Sequence, residues 1–345
     1  MSEKFYVGGI EGGATHSTIA ILDQNGKQVS SVKSEGTNHW IIGMDECQNR
    51  IVDLVNRAKS AAGIPLDEPL AGLGLSLSGC EGEDSNAILE NKIKTAHPNL
   101  SKSYVVCSDS VGALSTAEPD GGVVLISGTG SNALLINPDQ TKFGCGGRGH
   151  MLGDEGSAWW IAHRAVKIVL DDQDKLAPAP YPTDTLWTEI KNHFNVETQT
   201  ELFVHYYNNF NKSFIASLCL RLSKLAKQGD PLALHIFTEA GKYLARAIQA
   251  LYPNADEILL SREGGLHVVC VGSVWLSFNL LQEGFVKQLQ TTPQIKEISL
   301  LHLNVSGAVG AAYLASDHAN LNIPKNYKEN YSVFYNYDIF NRNGG

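Results

Sequence analysis

Near the amino end, three short segments, Phe5 to Glu11, Ser17 to Asp23 and Gln28 to Ser34, carry dense apolar positions bounded by glycine or polar residues. Each reads as a strand. Asn25-Gly26, between the second and third, is a strong hairpin-turn signal. The period then changes. Ile51, Leu54, Val55 and Ala58 form an apolar stripe at helical spacing, with Asp45 as the expected cap, Ala62 as the end and Gly63 as the stop. Leu70 to Leu77 reads as a buried strand. Asp84 to Ala96 reads as a helix halted before Pro98, and Tyr104 to Cys107 as another strand with Ser108-Asp109 at its carboxyl end.

The order then starts again. Gly122 to Ser127, Asn132 to Asn137 and Thr141 to Gly146 read as three strands, and Asp154 is the expected cap of a helix through Leu170. Pro178, Pro180 and Pro182 mark a break, and helical patterning dominates 185–251. His267 to Val271 is a strand, Ser273 to Gln290 a helix, Ile298 to Leu303 a strand and Ser306 to Ala319 a helix of small residues. The polar, aromatic tail Asn320 to Gly345 has no evident place.

A meander of three strands followed by helix–strand alternation predicts a mixed sheet flanked by helices. Its occurrence twice predicts an α/β protein of two domains with five-stranded sheets and a cleft between them. The expected boundary divides 1–119 from 120–345, with a helical insertion over about 172–230. Gly8-Gly9-Ile10-Glu11-Gly12-Gly13-Ala14-Thr15 and Leu125-Ile126-Ser127-Gly128-Thr129-Gly130-Ser131-Asn132 are glycine-rich turns between paired strands. Such turns let backbone amides approach phosphate oxygens. Both turns, Asp109 and Val271-Gly272 fall at strand carboxyl ends, where open α/β sheets bind ligands. Two matched loops point to a nucleotide held in the cleft.

Composition narrows the partners. A net charge of -9 over 345 residues gives no nucleic-acid footprint. The segment Met1-Ser2-Glu3-Lys4 does not read as a leader, and no apolar run approaches the roughly 18 to 20 residues that span a bilayer. Cysteines 47, 80, 107, 145, 219 and 270 are scattered, which reads as reduced thiols of the cytoplasm.

Several residues have a chemical and a bland reading. Asp109 fits a general base for a hydroxyl attacking a phosphate, and equally the N-cap of the helix after it. Gly12, Gly13 and Thr15 form a phosphate loop or a plain hairpin. Gly128 and Thr129 form the second loop, with Thr129 as its phosphate contact. Gly272 admits backbone beside an adenosine or makes a simple turn. His150 and His163 read as packed or surface groups, and Trp40 as packing.

The layout resembles the actin/hexokinase/Hsp70-like ATPase superfamily, within it the BadF/BadG-type ATPases. The strings Gly9-Ile10-Glu11-Gly12-Gly13, Thr37-Asn38-His39-Trp40, Gly74-Leu75-Ser76-Leu77-Ser78-Gly79, Gly144-Cys145-Gly146-Gly147, Gly153-Asp154-Glu155-Gly156-Ser157-Ala158 and Cys270-Val271-Gly272-Ser273-Val274-Trp275 are similar to those of eukaryotic N-acetylglucosamine kinases, colinearly over 5–315. The resemblance implies transfer of the ATP γ-phosphoryl group to O6 of N-acetyl-D-glucosamine, with ATP and Mg²⁺ as cofactors and a homodimer. It implies Asp109 as the base and Asn38, Ser131, Asn132, Gly147, Arg148, Gly149 and Asp154 as sugar contacts, with Cys145 beside the pocket. It implies Ala226 beside adenine and Glu11 near Mg²⁺ through water. Gly36, Gly79 and Gly121 are expected hinge or loop positions. Two positions depart from the family: Arg148 stands where a tryptophan is expected, and Ala14 replaces a loop glycine. Alternatives remain: a kinase of another N-acyl sugar such as N-acetylmannosamine, an activator ATPase with an iron–sulfur cluster, or a non-catalytic sensor of sugar or ATP.

Overall fold

The computed structural model of the chain describes residues 4–340. The first meander is β1 (Tyr6–Gly12), β2 (His16–Asp23) and β3 (Gln28–Glu35), followed by α1 (His39–Ile42), α2 (Met44–Ala61), β4 (Gly72–Leu77), α3 (Glu83–Ala96), β5 (Tyr104–Cys107) and α4 (Asp109–Ala117). These strands form a five-stranded sheet in the order β3-β2-β1-β4-β5. β1 pairs antiparallel with β2 and parallel with β4. Ile10, Ile19 and Ile21 bury one face against Ile51, Leu54 and Val55 of α2, so the apolar stripe does pack as its spacing requires.

The second half repeats the plan with β6 (Gly122–Ser127), β7 (Ser131–Ile136), β8 (Lys142–Gly146) and α5 (Ala158–Gln173). The helices α6 (Asp184–Phe194), α7 (Lys212–Lys227), α8 (Pro231–Leu251) and α9 (Glu257–Leu260) follow, with one π-helical turn at Val204–Asn208. The chain closes with β9 (Leu266–Val271), α10 (Phe278–Leu289), β10 (Glu297–Leu303), α11 (Ala308–His318) and β11 (Tyr331–Asp338). This sheet has six strands, ordered β11-β10-β9-β6-β7-β8. The sixth comes from the tail: β11 pairs antiparallel along β10, Leu303 opposite Tyr331 and Glu297 opposite Asp338. Within this strand only Tyr337 is fully buried. An edge strand half open to water has no strong alternation for sequence to reveal. The last tail residues, 341–345, and Met1–Glu3 lie outside the described residues.

Late in the chain, α11 returns to the first sheet, burying Ala308, Ala312 and Ala315 against Val7, Ala20 and Leu22. The approach is close: a Cβ on Gly9 would lie 2.0 Å from Ala308 O, and one on Gly74 would lie 1.9 Å from Ala311 O. Ala-rich α11 and these glycines thus form one contact surface, backbone to backbone.

Two expected caps are corrected. Gly43 precedes α2 with no side-chain cap, and Asp45 sits in the first turn, paired to Lys92 at 2.6 Å on the surface. α5 is capped by Ser157, whose Oγ accepts from Trp160 N, while Asp154 lies three residues earlier at φ +66°. Asn38-His39-Trp40 is an N-cap and the start of α1, with Asn38 Oδ1 accepting from Trp40 N at 3.0 Å. Ser273–Ser277 is a 3₁₀ turn before α10, not its first α-turn. All six cysteines are unpaired.

Candidate active site

β1 ends at Gly12, and Gly13, Ala14 and Thr15 turn into β2, closed by Gly13 N donating to His16 O at 2.8 Å. Ala14 keeps a negative φ, so the missing glycine causes no strain. The matching turn, Gly128 to Gly130, joins β6 to β7, with Gly128 N donating to Gly130 O at 2.9 Å. It is seated on the start of α5, where Ala158 N donates to Gly128 O at 2.9 Å. Gly272 closes this loop from behind: its φ is +107°, and a Cβ there would stand 2.3 Å from Ser127 O. Only glycine fits.

Both loops border one cleft of about 740 Å³. Of the expected residues, Glu11, Gly13, Thr15, Asn38, Asp109, Gly128, Thr129, Ser131, Asn132, Gly147, Arg148, Gly149 and Asp154 line it. Gly12 stands behind the first loop, where a Cβ would meet Thr37 Oγ1 at 2.0 Å. Cys145 is half-buried on β8, one strand position from Gly146, and burial holds its thiol above the ordinary range. Ala226 is packed among the core side chains of α7, off the cleft lining.

Asp109 occupies the first turn of α4, directly beyond β5; Ser108 is the N-cap residue, without a side-chain cap bond. Ser76 fastens this start, its Oγ donating to Ser108 O at 2.9 Å and accepting from Gly112 N at 3.2 Å. Asp109 opens partly to the cleft and is enclosed by protein elsewhere. Burial first, then the charges of Glu81 and Glu11, push its carboxyl up to about 7, against the opposing backbone and hydroxyl donors of Ser110. A carboxyl poised there holds or releases a proton near neutrality, which suits general-base work.

On the opposite wall, Asp154 is 3% exposed. Its Oδ1 accepts from Ser131 N at 3.0 Å, and its Oδ2 stands 2.6 Å from Lys212 Nζ. A Cβ on Gly147 would lie 2.6 Å from Asn132 Oδ1, so this glycine, at φ +70°, lets the loop press on Asn132. Glu11, at the end of β1, accepts from Ser306 Oγ at the start of α11.

Sequence reasoning missed several lining residues: Glu81, Lys212, Ser213, His16, Thr18 and Ser78. Ser306, bound to Glu11, was missed too. His16 directly follows the first glycine loop and Ser78 the carboxyl end of β4, signals that could have found them, whereas no glycine loop or strand end marks Glu81, Thr18, Lys212 or Ser213. Trp40 is 75% exposed at the cleft, held by Nε1 donating to Gly79 O at 3.0 Å, where packing was expected. His150 and His163 do stack on aromatics, at 4.8 Å from Phe210 and 4.7 Å from Trp159.

Two mixed sheets facing a cleft bordered by paired glycine loops define a two-lobed, actin-like ATPase fold. The chain belongs to the BadF/BadG/BcrA/BcrD ATPase family, whose pattern matches residues 9–315. It is 27% identical over 308 residues to the N-acetylmuramic acid/N-acetylglucosamine kinase of Clostridium acetobutylicum, covering 88% of this chain and 97% of that one. It is 24% identical over 330 residues to the N-acetyl-D-glucosamine kinase of Dictyostelium discoideum, covering 91% and 98%. In structure it is similar to a ROK family glucokinase of Streptomyces griseus solved with glucose and AMPPNP, with a TM-score of 0.56 at 16% identity, covering 90% and 99%.

Proposed function

We propose that the chain is an ATP-dependent kinase that phosphorylates N-acetyl-D-glucosamine on O6. The observation that carries this reading is the placement of Asp109 in a cleft bordered by two phosphate loops, where burial pushes its carboxyl up to about 7. Asp109 takes the O6 proton as O6 forms its bond to the γ-phosphorus. The bond from that phosphorus to the β,γ-bridging oxygen breaks, and ADP leaves with the electron pair. Amides of Gly13 to Thr15 and Gly128 to Gly130 carry phosphate charge, and Gly272 admits the adenosine side. Asn38, Ser131, Asn132, Gly147, Gly149 and Asp154 orient the sugar.

Glu11 offers a hard oxygen donor inside the cleft, which suits Mg²⁺ held partly through water. The ion, when bound, neutralises developing phosphate charge. Approach of the lobe built on the first sheet, which includes α11, to the lobe built on the second around bound sugar excludes water, which otherwise competes as acceptor. The family resemblance supports a homodimer. Among the described residues, no helix is long and apolar enough to cross a membrane.

The test is an ADP-release assay with Mg-ATP against glucose, glucosamine, N-acetylglucosamine and N-acetylmannosamine. Turnover led by N-acetylglucosamine and lost in Asp109→Ala supports the reading. A folded, ATP-binding protein that no sugar stimulates refutes it in favour of a sensor.

A second reading concerns breadth. Arg148 borders the cleft, is exposed, and has no ion-pair partner among the described residues. A free guanidinium there suits an N-acyl sugar that itself bears a carboxylate, as N-acetylmuramic acid does. The check is Arg148→Trp, which lowers turnover on N-acetylmuramic acid relative to N-acetylglucosamine. An unchanged ratio rules out this role for Arg148.

A further inference from the structure

The helical insertion sends one charged side chain into the cleft. Lys212 is the first residue of α7, whose start is fixed by Asn211 Oδ1 accepting from Phe214 N at 3.0 Å. The same turn is held by His193, stacked 4.8 Å from Phe214 and hydrogen-bonded to Phe214 O at 3.0 Å. From this anchored start, Lys212 Nζ reaches within 2.6 Å of Asp154 Oδ2. It also lies against the second glycine loop: a Cβ on Gly130 would come 3.1 Å from Nζ and 2.8 Å from Asp154 Oδ1.

Asp154 is therefore held from two sides. Oδ1 is engaged by the Ser131 amide, while Oδ2 has no aligned hydrogen-bond donor in the protein although the ammonium stands beside it. A carboxylate this buried needs a neighbouring counter-charge to offset its lost hydration. Lys212 supplies it, covering the buried Oδ2 while its own side chain forms part of the cleft lining.

We propose that Lys212 is a positioning residue for the sugar: it holds Asp154 in place through Oδ2, so that Oδ1 keeps the Ser131 amide, and with it the sugar-facing wall of the cleft, in register. This rests on the kinase reading above. It makes the helical insertion part of sugar recognition, although its side chain does no chemistry on the phosphoryl group.

The experiment compares wild type, Lys212→Met and Lys212→Arg in the full chain. It reads N-acetylglucosamine affinity by calorimetry, and KM for sugar and for ATP by ADP release. Lys212→Met raises the sugar Kd and sugar KM by roughly 10- to 100-fold, the scale of a lost hydrogen bond to a charged group, with little change in ATP KM. Lys212→Arg, which keeps the charge, recovers most of the loss. Should the Met variant not fold, Lys212→Gln replaces it with the same expectation. An active wild type whose sugar KM survives the neutral variant, or an Arg variant no better than the neutral one, overturns this inference alone. A wild type inert toward every sugar overturns both this inference and the kinase reading.

Discussion

Asn132 Nδ2 donates to Ser110 Oγ across 3.2 Å, and Ser110 Oγ in turn donates to Asp109 Oδ1 at 3.4 Å. Asn132 belongs to the six-stranded sheet and Ser110 to the helix that presents the carboxyl. A residue beside the second phosphate loop thus communicates with the proposed base through one buried hydroxyl.

That hydroxyl favours the ionised carboxyl, so Ser110→Ala raises the Asp109 pKa beyond about 7. A general base must be deprotonated to act. Wild-type kcat/KM for sugar therefore falls as pH drops through about 7. In Ser110→Ala the midpoint moves up. A rate profile measured from pH 5.5 to 9 checks this, and coincident acid limbs exclude the link.

Asp109→Ala loses on the order of 10²- to 10⁴-fold in kcat, the usual scale for removing a general base. The same carboxyl costs stability. Its folded pKa, about 7, lies above the ordinary value of 3.8, so the native state binds the proton more tightly than the unfolded chain. Stability falls as pH rises from 3.8 through 7 and stays lower above that window. Asp109→Asn is therefore the more stable protein at pH 8, by on the order of 1 kcal/mol or more, and the gain shrinks toward pH 4. Thermal melts of the two proteins at both pH values test the sign.

Gly74→Ala places a methyl 1.9 Å from Ala311 O, backbone that cannot yield without moving α11 off the first sheet. Overpacking of this kind costs about 3 kcal/mol or more. A lowered denaturant midpoint is the expected result, and a midpoint equal to wild type removes the close-contact argument.

Gly272→Ala must abandon φ +107° and clear a contact of 2.3 Å with Ser127 O. The displacement falls on Gly128 N, 2.7 Å from the same Cβ, and so on the nucleotide loop. ATP KM rises about tenfold or more, while sugar affinity measured without nucleotide changes little. Equal effects on both ligands point instead to general unfolding.

Sequence by itself determined what short-range physics controls. Alternation and helical spacing located the elements of both halves, because the side-chain periods of strand and helix are local properties. Turn glycines marked both loops, and the strand end before Asp109 marked the carboxyl. Tertiary structure decided what depends on partners distant in the chain. Asp45 and Asp154 are favoured cap types, yet Lys92 engages the first, while Lys212 and the Ser131 amide engage the second. β11 exists because β10 leaves an edge to pair with, and α11 finds the first sheet through glycines some 235 to 300 residues earlier. The poise of Asp109 has the same origin: burial and the charges of Glu81 and Glu11 move its pKa, and only folding brings those groups around it.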